Sequence, residues 1–188
     1  MSLTTQATVN HLRATKDALD AIVTTLRALQ WDPAGAPPPE AAFNRVELFD
    51  DLDLGEAFKR LLITQSRIAL VIYSDEPFQT EKNGRQLIVH RQHKLWIVFT
   101  DRVVGKRMDA LLGSATNPGL LVLRDLVVPA IVGLTLSGAQ KIYCTPLDGS
   151  LLRVEGTDKT SPGRLAYLLE VQLDGGYLIV DTGRSPIL

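Results

Sequence analysis

The spacing of hydrophobic positions changes several times along the chain, and each change marks a different element. Between residues 5 and 30, Leu12, Leu19 and Leu26 recur at every seventh place, and Ile22 and Leu29 repeat that interval with an offset of three. Arg13, Lys16, Asp17 and Asp20 occupy the other side. This stripe predicts an amphipathic helix with a heptad-like face, lying on its own domain or against a neighbouring subunit. The run WDPAGAPPPEAAF, residues 31–43, ends the pattern. Three successive prolines exclude a helix interior or a central strand. An extended, semi-rigid linker is expected there, which would let the helix reach away from the remainder of the chain.

From residue 44 onward the period shifts to that of strands. DDLDLGEAFKRLL reads as a helix, with Asp53 or a neighbour as its cap. RIALVIYS and KLWIVFT are apolar nearly throughout, as suits central strands covered on both faces. NPGLLVLRDLVVPAIVGL predicts a helix opening at Pro118, apolar almost all round and therefore buried, with Pro129 kinking or bounding it. Towards the C-terminus, Asp148-Gly149 between KIYCTPL and LLRVE reads as a turn. The DGG of residues 174–176, between LAYLLEVQL and YLIVD, reads as a hairpin. The expected organisation is an N-terminal helix (1–30), a proline-rich linker (31–43) and an α+β domain (44–188). That domain has a mainly antiparallel sheet with one long buried helix packed on it.

Composition narrows the function classes. With 188 residues, 45% hydrophobic and 22% charged, the chain can bury a real core. A formal net charge of −1 provides no global field toward nucleic acid or membrane. A single cysteine, Cys144, excludes an intrachain disulfide and a multi-cysteine metal site, and suits a reducing compartment. The first residues lack the apolar core of a secretion signal. Residues 119–136 are short for a membrane span and carry Arg124 and Asp125, so a core helix is expected and no membrane partner.

Candidate chemistry is sparse. His90 and His93 are three apart, a spacing that puts strand side chains on opposite faces; solvated loop histidines are expected. Cys144 sits in an apolar strand and reads as a small buried hydrophobe. Glu47, Asp50, Asp51, Asp53 and Glu56 miss the calcium-loop spacing and read as a solvated helix N-terminus. The sequence contains no nucleophile elbow, phosphate loop or dinucleotide fingerprint. No catalytic residue, cofactor or metal is assigned. The stretch FQTEKNGRQLIVHRQHKLWIVF stands out instead. It holds a turn signal, Asn83-Gly84, and the basic or titratable residues Lys82, Arg85, His90, Arg91, His93 and Lys94. Asp75, Glu76 and Glu81 blunt their field. Single-strand binders interleave aromatics with such charges; here only Phe78 and Trp96 flank them. An exposed hairpin arm of mixed charge is the better reading.

The strand pair RIALVIYS and HKLWIVFT around a polar excursion, the helix after it, and the tail CTPLDGSLLRVE to RLAYLLEVQL together resemble a known family. It is the tail-terminator or tail-completion (head-tail joining) proteins of long-tailed phages and prophages. The resemblance implies a non-enzymatic subunit of a ring, usually a hexamer, that caps the tail tube. Its partners would be its own copies, the tail-tube protein and head-completion proteins, in the bacterial cytoplasm and then the virion. Contacts would fall on an arm at residues 74–93 (Phe78, Lys82, Arg85, Arg91, Lys94) and on the helix stripe (Leu12, Leu19, Leu26). Arg85, Arg91 and Lys94 would face passing DNA without reading its sequence. An unrelated dimeric interaction module, held by the N-terminal helix, and a small enzyme built from scattered residues remain the alternatives.

Overall fold

In the computed structural model the described residues are 5–32, 38–49, 55–56, 59, 61, 66–75, 77–84, 86–101, 107–114, 117–132, 134, 143–154 and 164–181. For 5–15, 83, 86, 91, 143 and 174–181 the backbone alone is described. In chain order the elements are α1 (Thr5–Ala28), β1 (Gln30–Trp31), β2 (Glu40–Ala41), β3 (Arg45–Phe49), β4 (Ile68–Asp75), β5 (Phe78–Asn83), β6 (Gln86–Thr100), α2 (Arg107–Leu112), α3 (Gly119–Ile131), β7 (Tyr143–Val154) and β8 (Arg164–Asp181).

One six-stranded sheet organises them, in the order β3-β4-β6-β8-β7, with β5 also paired to β6. β3 runs parallel to β4 and every other pairing in it is antiparallel. The fold is thus α+β with a mainly antiparallel sheet, as the hydrophobic pattern predicts. β4 and the second half of β6 are the two apolar runs. Both are central because each face has a cover. On one face α1 and α3 bring Ile22, Leu26, Leu120, Leu123, Val127 and Ile131 onto Val71, Leu95, Ile97 and Phe99. On the other, Leu61 and Phe49 pack over Ile68, Leu70, Ile72 and Val98. Phe99 anchors the main core, edge-on to Phe43 at 5.8 Å and stacked on Tyr167 at 5.3 Å.

Several expectations are revised. α3 is buried along one face only: Val122, Asp125 and Pro129 are exposed, and Pro129 lies in its last turn. Asp148-Gly149 is no turn, because β7 runs unbroken through it with a register irregularity between Pro146 and Asp148. Nor do residues 174–176 form a hairpin. β8 continues through them, and its register with β6 shifts between Arg91 and His93. In both places the glycine sits within a continuous strand beside a register shift. The 15-residue β6 holds both halves of β8 in line. Finally, residues 18–26 of α1 belong to the main core. The proline-rich stretch does not hold that half of the helix away, since β1 and β2 pair across it. Arg67 fastens this pair to the body. It lies 5.6 Å from the Trp31 ring centroid and donates through Nη2 to Glu40 Oε2 (3.0 Å) and to the Ala41 carbonyl (3.1 Å).

Two glycines set the α2–α3 connection. Gly113 and Gly119 have φ of 85° and 76°, and a Cβ on Gly119 would lie 2.3 Å from the Gly113 nitrogen. Ser114 and Asn117 close the loop with reciprocal backbone hydrogen bonds of 2.8 and 3.2 Å. Gly119→Ala is therefore expected to cost about 2–4 kcal/mol, combining left-handed backbone strain with a clash against unyielding backbone. Gly84, at φ 59°, has nothing within 4 Å of a built Cβ. Its alanine variant incurs only the backbone penalty of about 1–2 kcal/mol. Urea melts of the two variants should separate them in that order.

Candidate interaction surface

The excursion between the two central strands is an arm with a defined root. β5 and the first half of β6 form a hairpin turning at Gly84, whose positive φ suits the expected Asn83-Gly84 turn. The far half of β8 adds a third strand, setting Leu87 opposite Val180, Ile88 opposite Ile179 and Val89 opposite Leu178. At the root, the Gln92 amide donates to the Pro77 carbonyl at 3.1 Å. Tyr73 Oη and His93 Nδ1 share a 2.6 Å hydrogen bond. His93 is buried there, so it is a structural strand residue rather than a solvated loop histidine. His90 also lies on β6, partly exposed, with Nε2 3.7 Å from Glu81 Oε2.

Beyond that root the arm leaves both cores. Leu87, Ile88 and Val89 are half-buried and belong to neither buried cluster. Consecutive apolar residues on a strand give it two apolar faces, a pattern suited to cover on both sides. Phe78, at the start of the arm's outer strand, is 59% exposed.

The sequence-predicted contact residues separate accordingly. Phe78 and Lys82 are exposed on β5. Lys94 lies inward of the root, half-buried, with Nζ 3.4 Å from Glu170 Oε1, so its charge is already engaged. Arg85 lies outside the described residues, and of Arg91 and Leu12 only the backbone is described. Leu26 is fully buried in the chain's own core, which removes it from any intersubunit stripe, and Leu19 is half-buried against that core.

Sequence reasoning missed a second exposed apolar feature. β7 forms an edge of the sheet, and its Leu147 and Leu151 are 46% and 48% exposed. Taking Asp148-Gly149 for a turn concealed this strand. The close fit at Gly149, where a Cβ would meet Tyr167 Oη at 2.2 Å, is legible only in three dimensions. Cys144, also on β7, is buried, and burial pushes its thiol up to about 11. It stays protonated near neutral pH, unlike an activated nucleophile.

At the opposite end of the sheet lies a buried polar knot. Arg164 Nη1 donates to the Leu61 carbonyl (2.6 Å), and Nη2 to the carbonyls of Asp101 (2.5 Å) and Ser66 (3.5 Å). Asn117 Nδ2 donates to Asp101 Oδ2. Burial lowers the Arg164 pKa, and the Asp101 charge opposes that shift. The Nη donors of Arg164 are spent on backbone carbonyls, which makes the knot a tie between loops.

Among the described residues, no three His, Cys, Asp or Glu side chains gather as metal ligands would, and no helix is long and apolar enough to cross a membrane. No protein-family model matches the chain, and no curated protein is significantly similar to it in sequence.

Proposed function

We propose that this chain is a structural assembly protein, a ring subunit of the tail-terminator kind that caps a phage or prophage tail tube. The observation that carries the reading is the arm. It extends a covered sheet into a three-stranded blade whose described Leu87, Ile88 and Val89 are apolar at consecutive positions and belong to neither buried cluster. A fold maintains such a blade against the aggregation risk of exposed strands when another surface covers it. Copies of the same chain are the simplest source of that surface. A closed ring requires two unlike patches on each subunit, and the arm supplies one of them. The tail-tube end and a head-completion protein would then contact the faces of the ring, with DNA passing through its lumen by non-specific charge contacts. The burial of Leu26 within the subunit counts against the dimeric module held by the N-terminal helix.

Size-exclusion chromatography with light scattering tests the reading. A single species near six times the 20.6 kDa protomer is expected. A protomer mass at every concentration would overturn the ring, and a mass of two protomers would restore the dimeric module.

A further inference from the structure

The lateral edges of the sheet are treated differently. At β3, Arg27 from α1 donates through Nη2 and Nε to the Val46 carbonyl at 2.9 and 3.3 Å. A side chain laid on an edge carbonyl competes with strand addition, one way in which proteins blunt edges. β7 is 12 residues long, with no ladder partner on its outer side among the described residues. Pro146 and the adjoining bulge blunt its first part. Residues 149–153 pair with β8 in regular register and carry the exposed Leu151. The arm offers the other open edge, because β5 pairs with β6 on one side only.

We propose that residues 149–153 of β7 accept the β5 strand of a second copy, so that the sheet continues from subunit to subunit. The inference rests on the self-assembly reading above and specifies its interface. Strand direction supports it first. β5 and β8 both run antiparallel to β6, and β7 runs antiparallel to β8. Copies with like-oriented sheets therefore present β5 and β7 antiparallel, as a strand ladder requires, once one copy is displaced along the strands, since Thr80 lies level with Val89 of β6 and Leu151, through Tyr167, level with Phe99. Two unlike edges also give the heterologous contact that closes a ring.

Side-chain complementarity then fixes a register. Thr80 pairs with Val89 and Leu151 with Tyr167, positions in phase with the helix-covered face. Setting Thr80 opposite Leu151 places Phe78 opposite Arg153, a cation–aromatic match, and Lys82 opposite Gly149, which has no side chain to obstruct it. A slip of two residues one way sets Glu81 against Asp148, like charge on like. A slip the other way sets Lys82 against Leu151 and loses the match of Phe78 with Arg153.

Paired cysteines in the full-length chain test this. Thr80→Cys and Leu151→Cys are exchanged together in one polypeptide, oxidised with copper phenanthroline, and run on a non-reducing gel. The expected result is a ladder of covalent multiples ending at the mass given by light scattering, reversed by thiol, while each single variant stays at the protomer band. Both positions are exposed, and the buried Cys144 serves as the unreactive control. An assembled oligomer without a ladder overturns the β5–β7 interface and leaves the ring reading standing. A dimer from Thr80→Cys alone overturns it in favour of β5–β5 pairing. A protomer mass in light scattering overturns the ring itself.

Discussion

Arg164→Ala is expected to lower the unfolding free energy by about 3–5 kcal/mol, the largest loss among single polar substitutions in this chain. One guanidinium reaches the carbonyls of Leu61, Ser66 and Asp101, which lie 103, 98 and 63 residues before it in sequence. Leu61 sits in the crossover between β3 and β4, Ser66 precedes β4, and Asp101 follows β6. The planar fork of arginine serves several acceptors at fixed angles, which an ammonium cannot do. Truncation leaves buried carbonyls without a donor, at about 1–3 kcal/mol for each one left unsatisfied, and opens a cavity as well. Arg164→Lys should recover part of the loss, and Arg164→Met should recover volume but not hydrogen bonds. Urea denaturation of the three variants, with unchanged slopes, gives the ranking Lys above Met above Ala. A loss below about 1 kcal/mol for the alanine variant would show that water replaces the guanidinium at those carbonyls.

Much of this architecture is legible in the amino-acid order. The apolar runs at β4 and β6 declare themselves because a strand covered on both faces has no polar side to show. The Asn83-Gly84 pair marks its turn because a positive φ is needed there, and Gly84 adopts one. The leucine stripe of α1 reports a buried face correctly, but a stripe does not say whose surface covers it. That surface is the chain's own sheet around Leu26. The Asp148-Gly149 and DGG signals mislead for a related reason. Glycine fits a continuing strand as well as a turn, and only the long antiparallel partner decides between them. Arg67 and Arg164 look like solvated charges in sequence. Their burial depends on acceptors up to 103 residues distant, which no local pattern encodes. The candidate surface was half legible for the same cause. The arm announces itself through charge and a turn signal, whereas the β7 edge appears only once the sheet order is known.

Phe78→Asp is expected to dissociate the assembly while leaving the fold intact. The ring is 59% exposed in the isolated chain, so its loss removes little from the core and the unfolding midpoint should stay close to that of the parent. In the assembly the same ring would become covered. Burying a phenylalanine is worth about 1.5–3 kcal/mol in full, and the exposed share sets the gain at about 1–2 kcal/mol for each interface. Aspartate adds the cost of desolvating a charge and forfeits the contact with Arg153, although its carboxylate would attract that guanidinium. Since 1.4 kcal/mol is a factor of ten, each contact weakens about tenfold or more, and a subunit in a ring makes two such contacts. Light scattering over a concentration series should show the parent assembled where the variant runs as a protomer. Phe78→Leu keeps most of the apolar area and should remain assembled. Equal assembly of the aspartate and leucine variants would place Phe78 outside the interface and remove the arm's outer strand from the contact.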